Sequence, residues 1–318
     1  MQILMIEINL DEKYSCFSLI NLLFRKKNNF IIIIIFLLGC EIYYSSRKAY
    51  HHTKIIFSFW EPQNKIPGYL SLCIKTWKHF LPDYQIKILD YSTLKSYLGD
   101  ELYSNIICKN MPLSMQADAI RVALLKKYGG LWMDTDSIII NGSFTKEFEK
   151  YELAMIGEER NKFQYMGFIF ASQNSSILNN WLNRVVDKVK IYKTILNRNK
   201  NKLTDKMKKF DYLGNSIIDP LLKNITRATY FRIDSKSINA FPESIFFKNS
   251  PETNIEKYRA FYFEKREPNI ILNSTKYLLL LHNSWTPIKY KNMTEEEFLS
   301  QNILLSKLLS KILKEKSF

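Results

Sequence analysis

Residues 114–140 read SMQADAIRVALLKKYGGLWMDTDSIII, and the hydrophobic period changes halfway along them. From Ser114 to Tyr128 the apolar residues Ala117, Ile120, Ala123 or Leu124, and Tyr128 recur at three- and four-residue spacing, which predicts a helix with Ser114 as its N-cap. Gly129-Gly130 ends it. Leu131-Trp132-Met133 is too short and too apolar for a second helix. It predicts a strand that runs into Asp134-Thr135-Asp136 and leaves through Ser137 to Ile140.

On extended backbone, carboxylates at i and i+2 point to one side and Thr135 to the other. Paired carboxylates suit Mg²⁺ or Mn²⁺, hard cations commonly held by one or two carboxylates together with the oxygens of a substrate diphosphate. One helix earlier Asp118 and Arg121, three apart, share a face. A guanidinium there suits a phosphate or ribose, and the carboxylate suits sugar hydroxyls. The bland alternatives are a solvated D-x-D turn and a helix-surface ion pair of little worth.

The whole string, Q-A-D-A-I-R-V-x-x-L-x-x-Y-G-G-L-W-x-D-x-D, resembles the sugar-binding DXD region of the capsular polysaccharide synthesis and glycosyltransferase family 32 proteins. The resemblance implies an α/β fold of GT-A type, with a Rossmann-like nucleotide-binding half and a mixed central sheet. It also implies a nucleotide-sugar donor, Mn²⁺ or Mg²⁺, and transfer of a hexose or N-acetylhexosamine to a glycan or lipid-linked oligosaccharide with retained configuration. Carried over by position, Asp134 and Asp136 are the metal and diphosphate residues, while Asp118 and Arg121 contact the donor sugar. No residue stands out as a nucleophile, so front-face substitution is expected. Two rivals remain: a haloacid-dehalogenase-like phosphohydrolase with Asp134 as nucleophile and Asp136 as acid, and a non-catalytic carbohydrate-binding protein.

Composition narrows the partners. At 318 residues with 46% apolar content the chain can bury a full α/β core. Its 46 basic against 31 acidic residues leave a net charge of +15, which points to an anionic partner. No zinc-finger or RNP-type motif supports nucleic acid, so a membrane surface or a phosphorylated acceptor is expected. Cys16, Cys40, Cys73 and Cys108 lack C-x-x-C pairing and zinc-spaced histidines, and read as free thiols from a reducing compartment.

Three segments follow. In residues 1–50, Phe30 to Cys40 form an apolar run shorter than a bilayer span, a signal h-region or a marginal anchor. A donor made in the cytoplasm argues for a cytoplasmic enzyme, peripheral to or anchored in the inner membrane, with a single-pass protein as the alternative. Residues 51–292 form the catalytic domain. Strand Lys54–Trp60, helix Pro67–Phe80 and strand Gln85–Asp90 read as the opening of a nucleotide-binding half, with Phe59 and Trp60 at a strand end where ligands sit, or as an aromatic pair in the core. This opening resembles the family's, which implies that Asp90 reaches the nucleotide. Strands follow at Leu153–Gly157 and Gly167–Ser172, with Glu158–Lys162 near the acceptor. A helix over Ile177–Ile195 then shades into the basic tract Asn197–Lys209. Asn215 and Asp219 stand where the resemblance implies acceptor-side residues, or they cap a turn at Ile217–Leu222. Phe241-Pro242-Glu243 reads as a loop without chemistry. A buried strand, Tyr277–Leu281, delivers His282-Asn283-Ser284-Trp285, which resembles the family's closing H-x-x-S-W element. There His282 is the third metal ligand, and Ser284 and Trp285 cover the diphosphate. Residues 293–318 predict a basic amphipathic helix opened by a capping box at Thr294, its leucine stripe lying on an anionic membrane or on the core.

Overall fold

The glycine pair makes a sharp corner. Gly129 (φ 67) and Gly130 (φ 91) both take left-handed backbone, and the space around them is equally restrictive. A Cβ on Gly129 would meet the Gln173 nitrogen at 2.6 Å, and one on Gly130 the Ile55 oxygen at 2.5 Å. Helix α2 (Leu113–Tyr128) therefore stops within one residue, and β3 (Gly130–Met133) drops in beside β1 (Ile55–Phe59). The structure, a computed structural model, describes residues 50–158, 163–198, 203–223, 225 and 229–314. The N-terminal apolar run, Cys16, Cys40, residues 159–162 of the loop and residues 199–202 of the basic tract lie outside the described residues, which belong to one unit, Tyr50–Phe318.

Among the described residues six strands form the main sheet in the order β2-β1-β3-β6-β5-β7. Here β2 is Gln85–Leu89, β5 Leu153–Glu158, β6 Phe163–Ala171 and β7 Tyr230–Asp234. β1 runs parallel to both β2 and β3, β6 is antiparallel to β3 and β5, and β7 is parallel to β5. A second sheet pairs β4 (Ser137–Ile139) with β8 (Leu278–Leu280), antiparallel. This is the α/β fold with a mixed central sheet expected from the sequence, three parallel strands continued by antiparallel pairing through β6.

Helix α2 departs from the one-striped helix expected. Ten of its residues are buried, among them Gln116, Asp118 and Arg121, because it lies between the sheet and α3 (Ser176–Arg198). Ser114 is not its cap; the N-cap is Pro112. The Gln116 amide instead ties down the preceding loop, donating to the Ile106 oxygen (2.9 Å) and accepting from the Cys108 N–H (2.6 Å).

Three other segments also differ. Asp90 ends no strand but caps the helix Tyr91–Leu98. The turn expected at Ile217–Leu222 is a helix, α4 (Asn215–Leu222), with Pro220 inside it. The capping box at Thr294 and Glu297 is present, yet its helix ends at Leu299 and a new one, α6, covers Leu304–Lys314. Leu304, Leu305, Leu308, Leu309 and Ile312 of α6 are buried in a cluster with Tyr69, Leu70, Leu72 and Cys73 of α1 (Gly68–Phe80) and Tyr258, Phe261 and Tyr262 of α5 (Asn254–Tyr262). The leucine stripe is thus consumed by the core and offers nothing to a membrane. Lys307 and Lys311 bond Glu267 and Asn269 at 2.8 Å each. Cys73 and Cys108 are free and buried. No described helix is long and apolar enough to cross a membrane.

Candidate active site

β3 hands the chain to β4 through Asp134-Thr135-Asp136. The Asp134 N–H donates to the Gly167 oxygen of β6 (2.9 Å), and the Ser137 N–H closes back on the Asp134 oxygen (3.0 Å). The aspartates therefore stand on a turn between two sheets, not on the extended backbone expected. Both still line one cleft of about 490 Å³, within the range of small-molecule sites.

Asp118 and Arg121 meet them there, and neither belongs to a surface ion pair: their side chains are 7% and 5% exposed. Arg121 Nε lies 3.5 Å from Asp118 Oδ1 and Nη2 lies 3.5 Å from Asp134 Oδ1. The guanidinium sits 5.0 Å over the Trp132 ring, whose Nε1 donates to Asp134 Oδ1 at 2.8 Å. Arg121 Nη1 is buried without a partner. A buried cationic N–H left unmade costs about 1–3 kcal/mol or more, and Arg121 is among the residues that line the cleft.

Burial raises the Asp136 carboxyl, and the charge of Asp134 raises it further, while the Asn283 N–H donating to Oδ2 (2.8 Å) pulls it down. Two repelling carboxylates offering only oxygen donors fit Mg²⁺ or Mn²⁺ when a diphosphate completes the shell. His282 reaches the same cleft, but its ring packs on Phe241 (5.6 Å) and Trp285 (3.8 Å). Burial lowers it to about 4, leaving the imidazole neutral at physiological pH. Among the described residues no three His, Cys, Asp or Glu side chains gather as a ligand set.

Burial likewise pushes Asp118 up to about 7, against the pull of Arg121 and with Asp134 and Asp211 adding to it. Between about pH 4 and 7 the folded chain then keeps a proton on Asp118 that the unfolded chain releases. The stability this provides is complete below the unfolded value of 3.8 and lost as pH rises through about 7. His282 gives the opposite slope, so the comparison of variants is the readout. Asp118→Asn is expected to melt above the parent protein at pH 8, with the gain gone by about pH 4. A gain independent of pH in thermal melts would contradict the raised value.

The other expected residues divide. Phe59, Trp60 and Asn215 line the cleft. Asp90, Asp219, Ser284 and Trp285 do not. The Asp90 carboxylate accepts from Ser92 and Thr93, which hold it down to about 2. Asn215 donates to the Gln164 oxygen (2.8 Å) and reaches Asp219 at 3.5 Å, and burial lifts Asp219 to about 6. Ser284 is exposed. Trp285 backs His282, and its oxygen accepts from Arg259 (2.9 Å).

Phe163, Tyr165, Phe210 and Asn283 also line the cleft without having been given a role, and Phe241, expected in a loop without chemistry, lines it too, just before a helix over Pro242–Phe246. The signal for two of them was the period of β6, since Phe163, Tyr165 and Gly167 alternate onto one face. Phe241 and Phe210, the latter 68% exposed, carry no local signature. Gly214 also matters, because a Cβ there would stand 2.5 Å from Asp118 Oδ2. Gly214→Ala is expected to displace that carboxylate and lower donor turnover about 100-fold, the cost of roughly an ångström of misplacement. Full activity in a steady-state assay would mean that Asp118 does not touch the donor.

Residues 39–198 match a family described as "Capsular polysaccharide synthesis protein". Among solved structures the chain is similar to PaToxG glycosyltransferase, at 16% identity over 89% of this chain and 95% of that one, with a TM-score of 0.37. It is similar to a glycosyltransferase involved in glycosylation of the major capsid of PBCV-1 (14% identity, 64% of this chain and 95% of that one, TM-score 0.35). It also resembles the glycosyltransferase GlyE of Streptococcus pneumoniae TIGR4 at 14% identity and TM-score 0.38, covering 84% of this chain but 65% of GlyE. No curated protein matches the sequence.

Proposed function

The chain belongs to the capsular polysaccharide synthesis protein family, and we propose that it is a glycosyltransferase that moves a hexose or N-acetylhexosamine from a nucleotide-sugar to a glycan hydroxyl, with a divalent cation and with retention. The observation that carries this reading is Arg121, a residue of the cleft lining held between Asp118 and Asp134, with Nη1 buried and unpartnered. Asp134 and Asp136 would hold Mn²⁺ or Mg²⁺, which supplies charge neutralisation for the leaving nucleoside diphosphate. Arg121 supplies the same to the diphosphate through a fixed fork that needs no reorganisation during the reaction. Asp118 takes a donor-sugar hydroxyl, accepting or donating according to its protonation. Phe59 and Trp60, at the end of β1, receive the nucleotide base. Asn215, which also lines the cleft, faces the acceptor, and Asp219, 3.5 Å from it and one turn along α4, orients it.

Asp134 is poorly suited to the nucleophilic role that the phosphohydrolase reading gave it. Its Oδ1 is already engaged by Trp132 and Arg121. Front-face substitution asks of the protein only positioning and electrostatics.

The test is to incubate purified protein with UDP-, GDP- and CMP-sugars in Mn²⁺, Mg²⁺ or EDTA and follow release of UDP, GDP or CMP. Slow hydrolysis of one donor, abolished by EDTA, is expected. Turnover of a generic phosphate ester with no sugar-nucleotide cleavage would overturn the reading, and a trapped glycosyl-carboxylate adduct would overturn the front-face course.

A further inference from the structure

Behind the cleft wall, the segment after β8 is tied to two helices by tyrosines buried in the core. Tyr69 of α1 is fully buried, and its hydroxyl donates to Asn283 Oδ1 and lies 3.4 Å from Thr286 Oγ1. Tyr258 of α5, also fully buried, shares a 3.1 Å hydrogen bond with the same Thr286 hydroxyl. Asn283 faces two ways. Its side-chain oxygen is taken by Tyr69, and its backbone N–H donates to Asp136 Oδ2 at 2.8 Å. The Leu281 N–H adds a 3.0 Å bond to the Asp136 backbone oxygen. The carboxylate turn is thereby joined to α1 through one residue.

A hydroxyl inside an apolar cluster costs free energy unless it is bonded, and phenylalanine would fill the Tyr69 position without that cost. The hydroxyl is explained by what it holds. Burial also lifts the Tyr69 phenol far above its ordinary range, so it stays a neutral donor at every working pH.

We propose that Tyr69 is a positioning residue of the active site, whose hydroxyl fixes Asn283 so that the Asn283 N–H fixes the Asp136 carboxylate for a divalent cation. The inference rests on the reading that Asp134 and Asp136 hold that cation. Partners of this kind, one bond behind a ligand, change metal affinity about 10- to 100-fold when removed.

The test is direct Mn²⁺ binding by the full-length chain without donor, read from the electron paramagnetic resonance signal of free Mn²⁺, beside thermal melts of each variant. Tyr69→Phe is expected to bind Mn²⁺ about ten-fold more weakly while remaining folded. Asn283→Ala cuts the same link, so the double variant is expected to lose no more than Asn283→Ala alone. A tyrosine that merely supports packing would lower the melting temperature and leave Mn²⁺ affinity untouched. Parental affinity in folded Tyr69→Phe, or additive losses in the double variant, overturns the inference. Should Tyr69→Phe not fold, Asn283→Ala decides it, and unchanged Mn²⁺ affinity there is the overturning result. If the parent protein binds no Mn²⁺, or Asp136→Asn binds it equally well, the cation reading itself fails and the role of Tyr69 falls with it.

Discussion

Asp136→Asn is expected to leave the fold standing and to lower metal-dependent donor turnover about 100- to 1,000-fold, the scale for removing one preorganised electrostatic group. The structural bonds of Asp136 survive the change. The Leu281 N–H donates to its backbone oxygen and the Asn283 N–H to Oδ2, and an amide oxygen accepts as a carboxylate oxygen does. What disappears is the charge, which burial and Asp134 already penalise in the folded protein. The variant is therefore expected to melt no lower than the parent near neutral pH, and higher without metal, since its repulsion with Asp134 is gone. Donor hydrolysis at saturating Mn²⁺, with thermal melts in EDTA, checks both halves. Unchanged turnover would remove Asp136 from the site, and a collapsed melting temperature would show that the carboxylate has a structural role not expressed in these bonds.

The features written in neighbouring residues were the legible ones. The two glycines announce a corner because only their backbone tolerates it, and the aspartates after Trp132 announce an oxygen-rich site. What failed to show was non-local. The turn at Asp134-Thr135-Asp136 looked extended because strand pattern continues on both sides, yet β4 pairs with β8, some 140 residues away. Helix α2 looked one-sided because Gln116, Asp118 and Arg121 count as surface in any hydrophobic pattern. Here they are buried because each finds a partner in the loop or the cleft. Asp90 did carry a readable cap signature, with Thr93 three residues on, and the capping bonds take up its carboxylate. The leucine stripe of α6 was plain in the sequence; which surface covers it depends on α1, more than 200 residues earlier. The Tyr69 contact with Asn283 spans 214 positions, and nothing within either local segment marks it.

Arg121→Lys is the substitution that separates charge from shape. Both side chains are cationic, but the guanidinium spans Asp118 and Asp134 at 3.5 Å each, stacks over Trp132 and keeps Nη1 as a further, unpartnered donor. An ammonium is a compact point charge on a flexible stem and cannot span both carboxylates while pointing a third donor elsewhere. Its expected effect is a loss of about 100-fold in kcat, with a smaller rise in donor KM. The reason is that leaving-group charge grows towards the transition state, so a misaligned cation is missed there more than in the ground state. A second consequence follows through Asp118, which Arg121 pulls down against burial. With a shorter reach to the cation, that carboxyl rises further, and any step needing it ionised moves to higher pH. The pH profile of kcat/KM is the check. A profile displaced towards alkali with kcat reduced is the expected pair of results, whereas an equal loss in binding and turnover with an unmoved profile would make Arg121 a ground-state clamp on the donor.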